Sequence, residues 1–105
     1  MNDRKNEFLF LLGTLYLRNN QVDKAVIVLE ALRVLERDNQ RVVGSLAYGY
    51  LSASRFHDCL QLIDSTANIS TSIGRETVQL IRSRALWGLG QQEEARRVLQ
   101  EANHK

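Results

Sequence analysis

Apolar residues recur at helical spacing almost from one end of the chain to the other, and the alternation that marks a half-buried strand is missing. With no proline in 105 residues to interrupt a helix, the pattern predicts an all-α chain. Its breaks fall at Arg18-Asn19-Asn20-Gln21, at Asp38-Asn39, at Ser52-Ala53-Ser54-Arg55, from Asn68 to Gly74, and at Gly88-Leu89-Gly90-Gln91. Asn, Ser and Gly suit such breaks because they tolerate left-handed backbone or satisfy free helix-end groups with a side chain. Six helices of about 12 to 18 residues result, the last running from Gln91 to Ala102.

The faces of these helices repeat. Leu9, Leu12, Gly13 and Tyr16 stand at i, i+3, i+4 and i+7 on the first helix, and Ala25 and Leu29 share one face of the second. Gly and Ala lack bulk where two helices cross, so the axes approach closely while Tyr16 fills the space beside them. A shift of 34 positions carries Leu12 to Leu46, Gly13 to Ala47, Tyr16 to Tyr50, Ala25 to Cys59 and Leu29 to Ile63. A third copy follows at an offset of 36, with Ser83, Leu86, Ala95 and Leu99 in the same roles and Ala102 after them. Two extra residues therefore sit in the Asn68 to Gly74 connection.

A helical hairpin repeated about every 34 residues with this large-small-large order resembles the tetratricopeptide repeat, most closely over Arg84-Ala-Leu-Trp-Gly-Leu-Gly-Gln-Gln-Glu-Glu-Ala95. The resemblance implies one domain over residues 1–105, with hairpins at about 6–38, 40–72 and 76–105 stacked into a short right-handed solenoid. Three departures stand out: Arg37 and Thr71 replace the proline that closes such repeats, and Arg82 occupies a leucine position of the third copy. With no further polar helix after Lys105, the last helix is expected to act as its own cap through its charged side.

In this family the residues one position past the packing ones face an inner groove. That register selects Phe10, Thr14 and Leu17 in the first copy, Gly44, Tyr48 and Leu51 in the second, and Leu80, Arg84 and Trp87 in the third. The competing expectation is that they pack a compact bundle. Two features favour the groove. The run from Phe8 to Leu17 is apolar on every face, and Leu80 and Trp87 lie opposite the Val78, Ile81, Ala85, Leu89 face of their own helix. Left in water, such a groove would expose an apolar patch on the order of 500 Å². Covering it would contribute roughly 12 kcal/mol at about 25 cal/mol per Å², less the ~2 to 5 kcal/mol needed to order a flexible partner. An amphipathic helix is the expected occupant. Aromatic and aliphatic lining, with Arg84 and Arg18 as its cations, argues against a carboxylate clamp.

Composition narrows the classes. The formal net charge is +2 and the basic residues are scattered, densest at Arg75, Arg82, Arg84, Arg96 and Arg97, without aromatic interleaving, which argues against nucleic acid. One cysteine, Cys59, excludes an internal disulfide. The charged start precedes an apolar run, Phe8 to Leu17, far below the ~20 residues that span a bilayer, and no small-residue cleavage site follows. A cytosolic protein without membrane insertion is expected.

Nothing in the pattern asks for an enzyme, a metal or a cofactor. His57 and Cys59 flank Asp58, but i and i+2 diverge by about 200° on a helix, Cys59 holds a packing position, and the other histidine is His104 in the tail. Glu93 and Glu94 fall in a first helical turn, where negative charge offsets the helix dipole. Glycine-rich phosphate loops and nucleophile elbows are missing.

Small cytosolic chaperones of bacterial type III secretion are three-repeat proteins of this size. The chain resembles the YscY type in Asn6-Glu-Phe-Leu-Phe-Leu-Leu-Gly-Thr-Leu-Tyr-Leu-Arg18 and in Lys24-Ala-Val-Ile-Val-Leu-Glu-Ala-Leu32. That resemblance implies a heterodimer with a small export substrate, YscX-like for the YscY type or the needle subunit for the related YscG type, and contact with a second chaperone or the export gate. The alternative is a generic repeat scaffold joining two folded proteins outside secretion.

Overall fold

The computed structural model describes residues 3–66 and 74–103, with side chains described for 4–66 and 74–101. Six helices and no strand occupy them: α1 (Asp3–Arg18), α2 (Val22–Leu35), α3 (Gln40–Ser52), α4 (Phe56–Ser65), α5 (Arg75–Gly88) and α6 (Gln92–Asn103). The chain is all-α over this range. Thr71, His104 and the connection from Asn68 as far as residue 73 lie outside the described residues, as does the Ala102 side chain. At 10 residues α4 is shorter than expected. Thr66 ends it, leaving helical dihedrals while its hydroxyl donates to the Leu62 and Ile63 carbonyls at 2.9 and 3.3 Å.

Three turns repeat in geometry as their sequences repeat in spacing. Asn20, Ser54 and Gly90 alone among the described residues, apart from Gly74, take positive φ, at 63°, 59° and 85°. They stand 34 and 36 positions apart. Just before each, a backbone N–H donates four residues back, Asn19 to Leu15, Ala53 to Gly49 and Leu89 to Ala85. Around Asn20 and Gly90 the left-handed residue donates to the carbonyl three back, and the next residue donates five back, Gln21 to Tyr16 at 2.8 Å and Gln91 to Leu86 at 3.0 Å. These are Schellman closures, which need the αL residue that Asn and Gly adopt most cheaply. The following helix then starts alike each time, with Ala25, Cys59 and Ala95 donating to Gln21, Arg55 and Gln91.

The connection from α2 to α3 is built differently. The Asn39 side-chain oxygen accepts from the N–H groups of Arg41 and Val42, capping α3. Its amide donates to Glu36 at 2.7 Å, and the same carboxylate accepts from Asn6 on α1 at 2.7 Å. One carboxylate thereby ties the start of α1 to the cap of α3.

The chain forms two compact units, Met1–Ala53 and Ser54–Lys105, and the boundary falls in the turn of the second expected hairpin. In the first, α1 packs on α2 and α2 on α3. Ala25, Val26, Leu29, Leu32, Val42 and Leu46 are almost completely buried there. A Cβ added to Gly13 would lie 2.9 Å from the Leu29 side chain, so this glycine sets how closely α1 and α2 approach. In the second unit α4 packs on α5 and α5 on α6. Leu86, Ala95 and Val98 form one core cluster there with Leu60 against them. Ser83 is buried, and its hydroxyl donates to the Ala95 carbonyl at 3.1 Å. One position differs from the register. Leu99, matched to the buried Leu29 and Ile63, is 37% exposed while Val98 is buried. Val98 stands at i+3 from Ala95 on the stripe facing Leu86, and Leu99 lies about 100° further round.

Candidate binding faces

Helix α5 has two unlike sides. Val78, Ala85 and Leu86 are buried, with Ile81 and Leu89 half-buried, whereas Leu80, Arg84 and Trp87 form an exposed stripe at i, i+4 and i+7. Leu80 is 55% and Trp87 50% exposed. An apolar residue, a cation and an indole along one ridge can take up the apolar side of a second helix and pair with a carboxylate at its edge.

The first unit carries the remaining residues of the expected groove, and they are less uniform. On α3, Tyr48 is 60% exposed, Leu51 and Gly44 are half-buried, and a Cβ on Gly44 would meet nothing within 4 Å. Phe10, Thr14 and Leu17 on α1 are half-buried. The Arg41 guanidinium covers the Phe10 ring at 4.4 Å from its centroid and reaches Glu7 at 3.6 Å. Thr14 turns its hydroxyl to the Leu11 carbonyl at 2.9 Å, and a Leu17 methyl lies 3.7 Å from where a Cβ on Gly49 would stand. These three therefore present edges rather than whole side chains.

Exposed apolar residues lie elsewhere too, at positions the groove register passes over: Phe8, Leu11 and Leu15 on α1, and Ile27, Val34 and Leu35 on α2. The sequence signal was available, since a helix apolar on every face leaves some of that surface uncovered unless neighbours surround it. A cleft of about 320 Å³ in the first unit is lined by Glu30, Arg33, Val34, Arg37, Leu46 and Tyr50. Across it the Tyr50 hydroxyl donates to Glu30 at 2.5 Å.

Of the residues that could suggest catalysis, Cys59 is packed in the core and Glu94 is paired. Cys59 is fully buried, and that burial pushes its thiol pKa up to about 11 against a smaller opposing effect of Arg82, so it is a protonated packing group at neutral pH. His57 is exposed on the same helix. Glu93 and Glu94 lie exposed in the first turn of α6, and Arg97 donates to Glu94 at 2.7 Å. Among the described residues no group of three or more His, Cys, Asp or Glu could hold a metal ion, and no helix is long and apolar enough to cross a membrane. No family model, no curated protein and no solved structure matches the chain.

Proposed function

We propose that this chain is a non-catalytic binding protein of three tetratricopeptide-like hairpins that holds an amphipathic helix of a small client against the first helices of its hairpins. The observation that carries the reading is the exposed Leu80, Arg84, Trp87 stripe opposite the buried side of α5. Large apolar side chains in water at regular spacing cost solubility, and covering them is their most economical explanation. The left-handed residues Asn20, Ser54 and Gly90 support the hairpin repeat, because each occurs where the sequence register puts the end of a first helix.

In its finer form, the reading is a cytosolic chaperone of a type III secretion system that keeps a small export substrate soluble as a heterodimer. This form rests on the likeness of the first hairpin to the YscY type. Co-expression with candidate clients of that system tests it: one client becomes soluble and co-purifies at one to one, and Trp87→Ala or Leu51→Asp releases it. Retention of every candidate client in the insoluble fraction would move the reading to a scaffold between folded proteins. Binding that survives both substitutions would remove the groove itself.

A further inference from the structure

Repeat register gives α1 a second face with a definite role. Phe8, Leu11 and Leu15 are 62%, 53% and 52% exposed. The same register positions are Val42, Ser45 and Gly49 on α3, and Val78, Ile81 and Ala85 on α5. Those are covered: Val42, Gly49, Val78 and Ala85 are buried and Ser45 and Ile81 half-buried. What covers them is the helix before. A Cβ on Gly49 would stand 3.2 Å from Val26 of α2, and one on Gly88, a position further along the same side of α5, would stand 2.4 Å from the Phe56 ring of α4. In two copies out of three, then, this side of the first helix receives a preceding helix, and in α1 it is open.

We propose that the open face of α1 docks one helix of another protein, amphipathic and carrying carboxylates toward both ends of its apolar stripe. Arg4, Phe8, Leu11, Leu15 and Arg18 fall at spacings of 4, 3, 4 and 3, the seam of a helix that packs along another. Both arginines are exposed and stand about 21 Å apart along the axis. In the symmetric registers the charges oppose a second copy of the chain on this face: antiparallel pairing about Leu11 sets Arg4 against Arg18 twice, and parallel pairing sets each arginine against itself. The last helix is no better a match, since α6 offers Gln92 and Arg96 at the positions where α2 and α4 offer Val22, Val26, Phe56 and Leu60. An apolar strip between two cations could also lie on an anionic lipid surface, but the register favours a helix.

The test uses the full chain and a fluorescent helical peptide of about 21 residues, with leucines at i, i+4 and i+7 and glutamates about 14 residues apart, read by anisotropy. Leu11→Asp, a substitution at an exposed site, is expected to weaken binding about tenfold or more. A peptide with lysines for the glutamates is expected to bind the parent chain poorly and to recover on the Arg4→Glu/Arg18→Glu variant. Equal binding by parent and Leu11→Asp overturns the proposal. So does loss of the peptide in Trp87→Ala but not in Leu11→Asp, which would place it in the groove. A dimer of the parent chain dissolved by Leu11→Asp, or capture by phosphatidylserine vesicles that Leu11→Asp abolishes while the peptide fails to bind, overturns it as well.

Discussion

Gly13 and Gly44 lie inside neighbouring helices of the same unit and should respond to alanine in opposite directions. A methyl at Gly13 meets Leu29 at 2.9 Å, and Leu29 is fully buried with nowhere to move, so Gly13→Ala is expected to destabilise the chain by about 1 to 3 kcal/mol. A methyl at Gly44 meets nothing within 4 Å, which leaves only the backbone effect, and Gly44→Ala should stabilise by about 0.5 to 1 kcal/mol. Urea unfolding of the two variants beside the parent checks both signs. Cys59 adds a pH dependence. Its folded-state thiol pKa lies near 11 against an ordinary 9.0, so the folded form keeps a proton that the unfolded form loses. Stability from this group is complete below about pH 9 and falls as pH rises toward 11. Cys59→Ala should flatten that fall in melting temperatures measured across the range. The small positions Gly13, Ala25, Cys59 and Ala95 were legible because close helix crossings leave few residue types to choose from. Leu99 was not: a register read from spacing cannot decide between neighbours when both are apolar, and Val98 lies nearer Leu86 on the packed stripe.

At the scale of the element, the repeated turns separate steric from backbone cost. Gly90 has φ of 85° and open space around it, so Gly90→Ala loses only backbone freedom, about 1 to 2 kcal/mol. Asn20→Gly, at φ of 63°, should be neutral or gain a few tenths of a kcal/mol. Thermal melts distinguish the pair. Asn39→Ala removes the acceptor that caps α3 and one donor to Glu36, and is expected to cost about 1 kcal/mol for the cap alone. Helix positions and most turns could be read from the chain, because Asn, Ser and Gly mark the left-handed residue and the cap. The Asn6 to Glu36 bond could not, since it joins residues 30 apart whose types are ordinary on any helix surface. The division at Ala53 and Ser54 was equally hidden, because that turn repeats the spacing and the left-handed residue of the other two.

For the molecule as a whole, a client held in the proposed groove would add stability by mass action, about 2.7 kcal/mol at a hundred times its dissociation constant. Differential scanning fluorimetry should therefore show a melting temperature that climbs with client concentration in the parent and stays flat in Trp87→Ala. The residues of the proposed groove follow from the register alone. Which of them would stand free depended on their neighbours: the Arg41 guanidinium shields Phe10, while Tyr48 and Trp87 stand out in solvent. Helix α1 turns an open apolar side to solvent, whereas α6 turns Gln92, Arg96 and Gln100 there. The apolar side of α1 is therefore the stickier of the two surfaces, and polar substitutions there gain more solubility than any on α6.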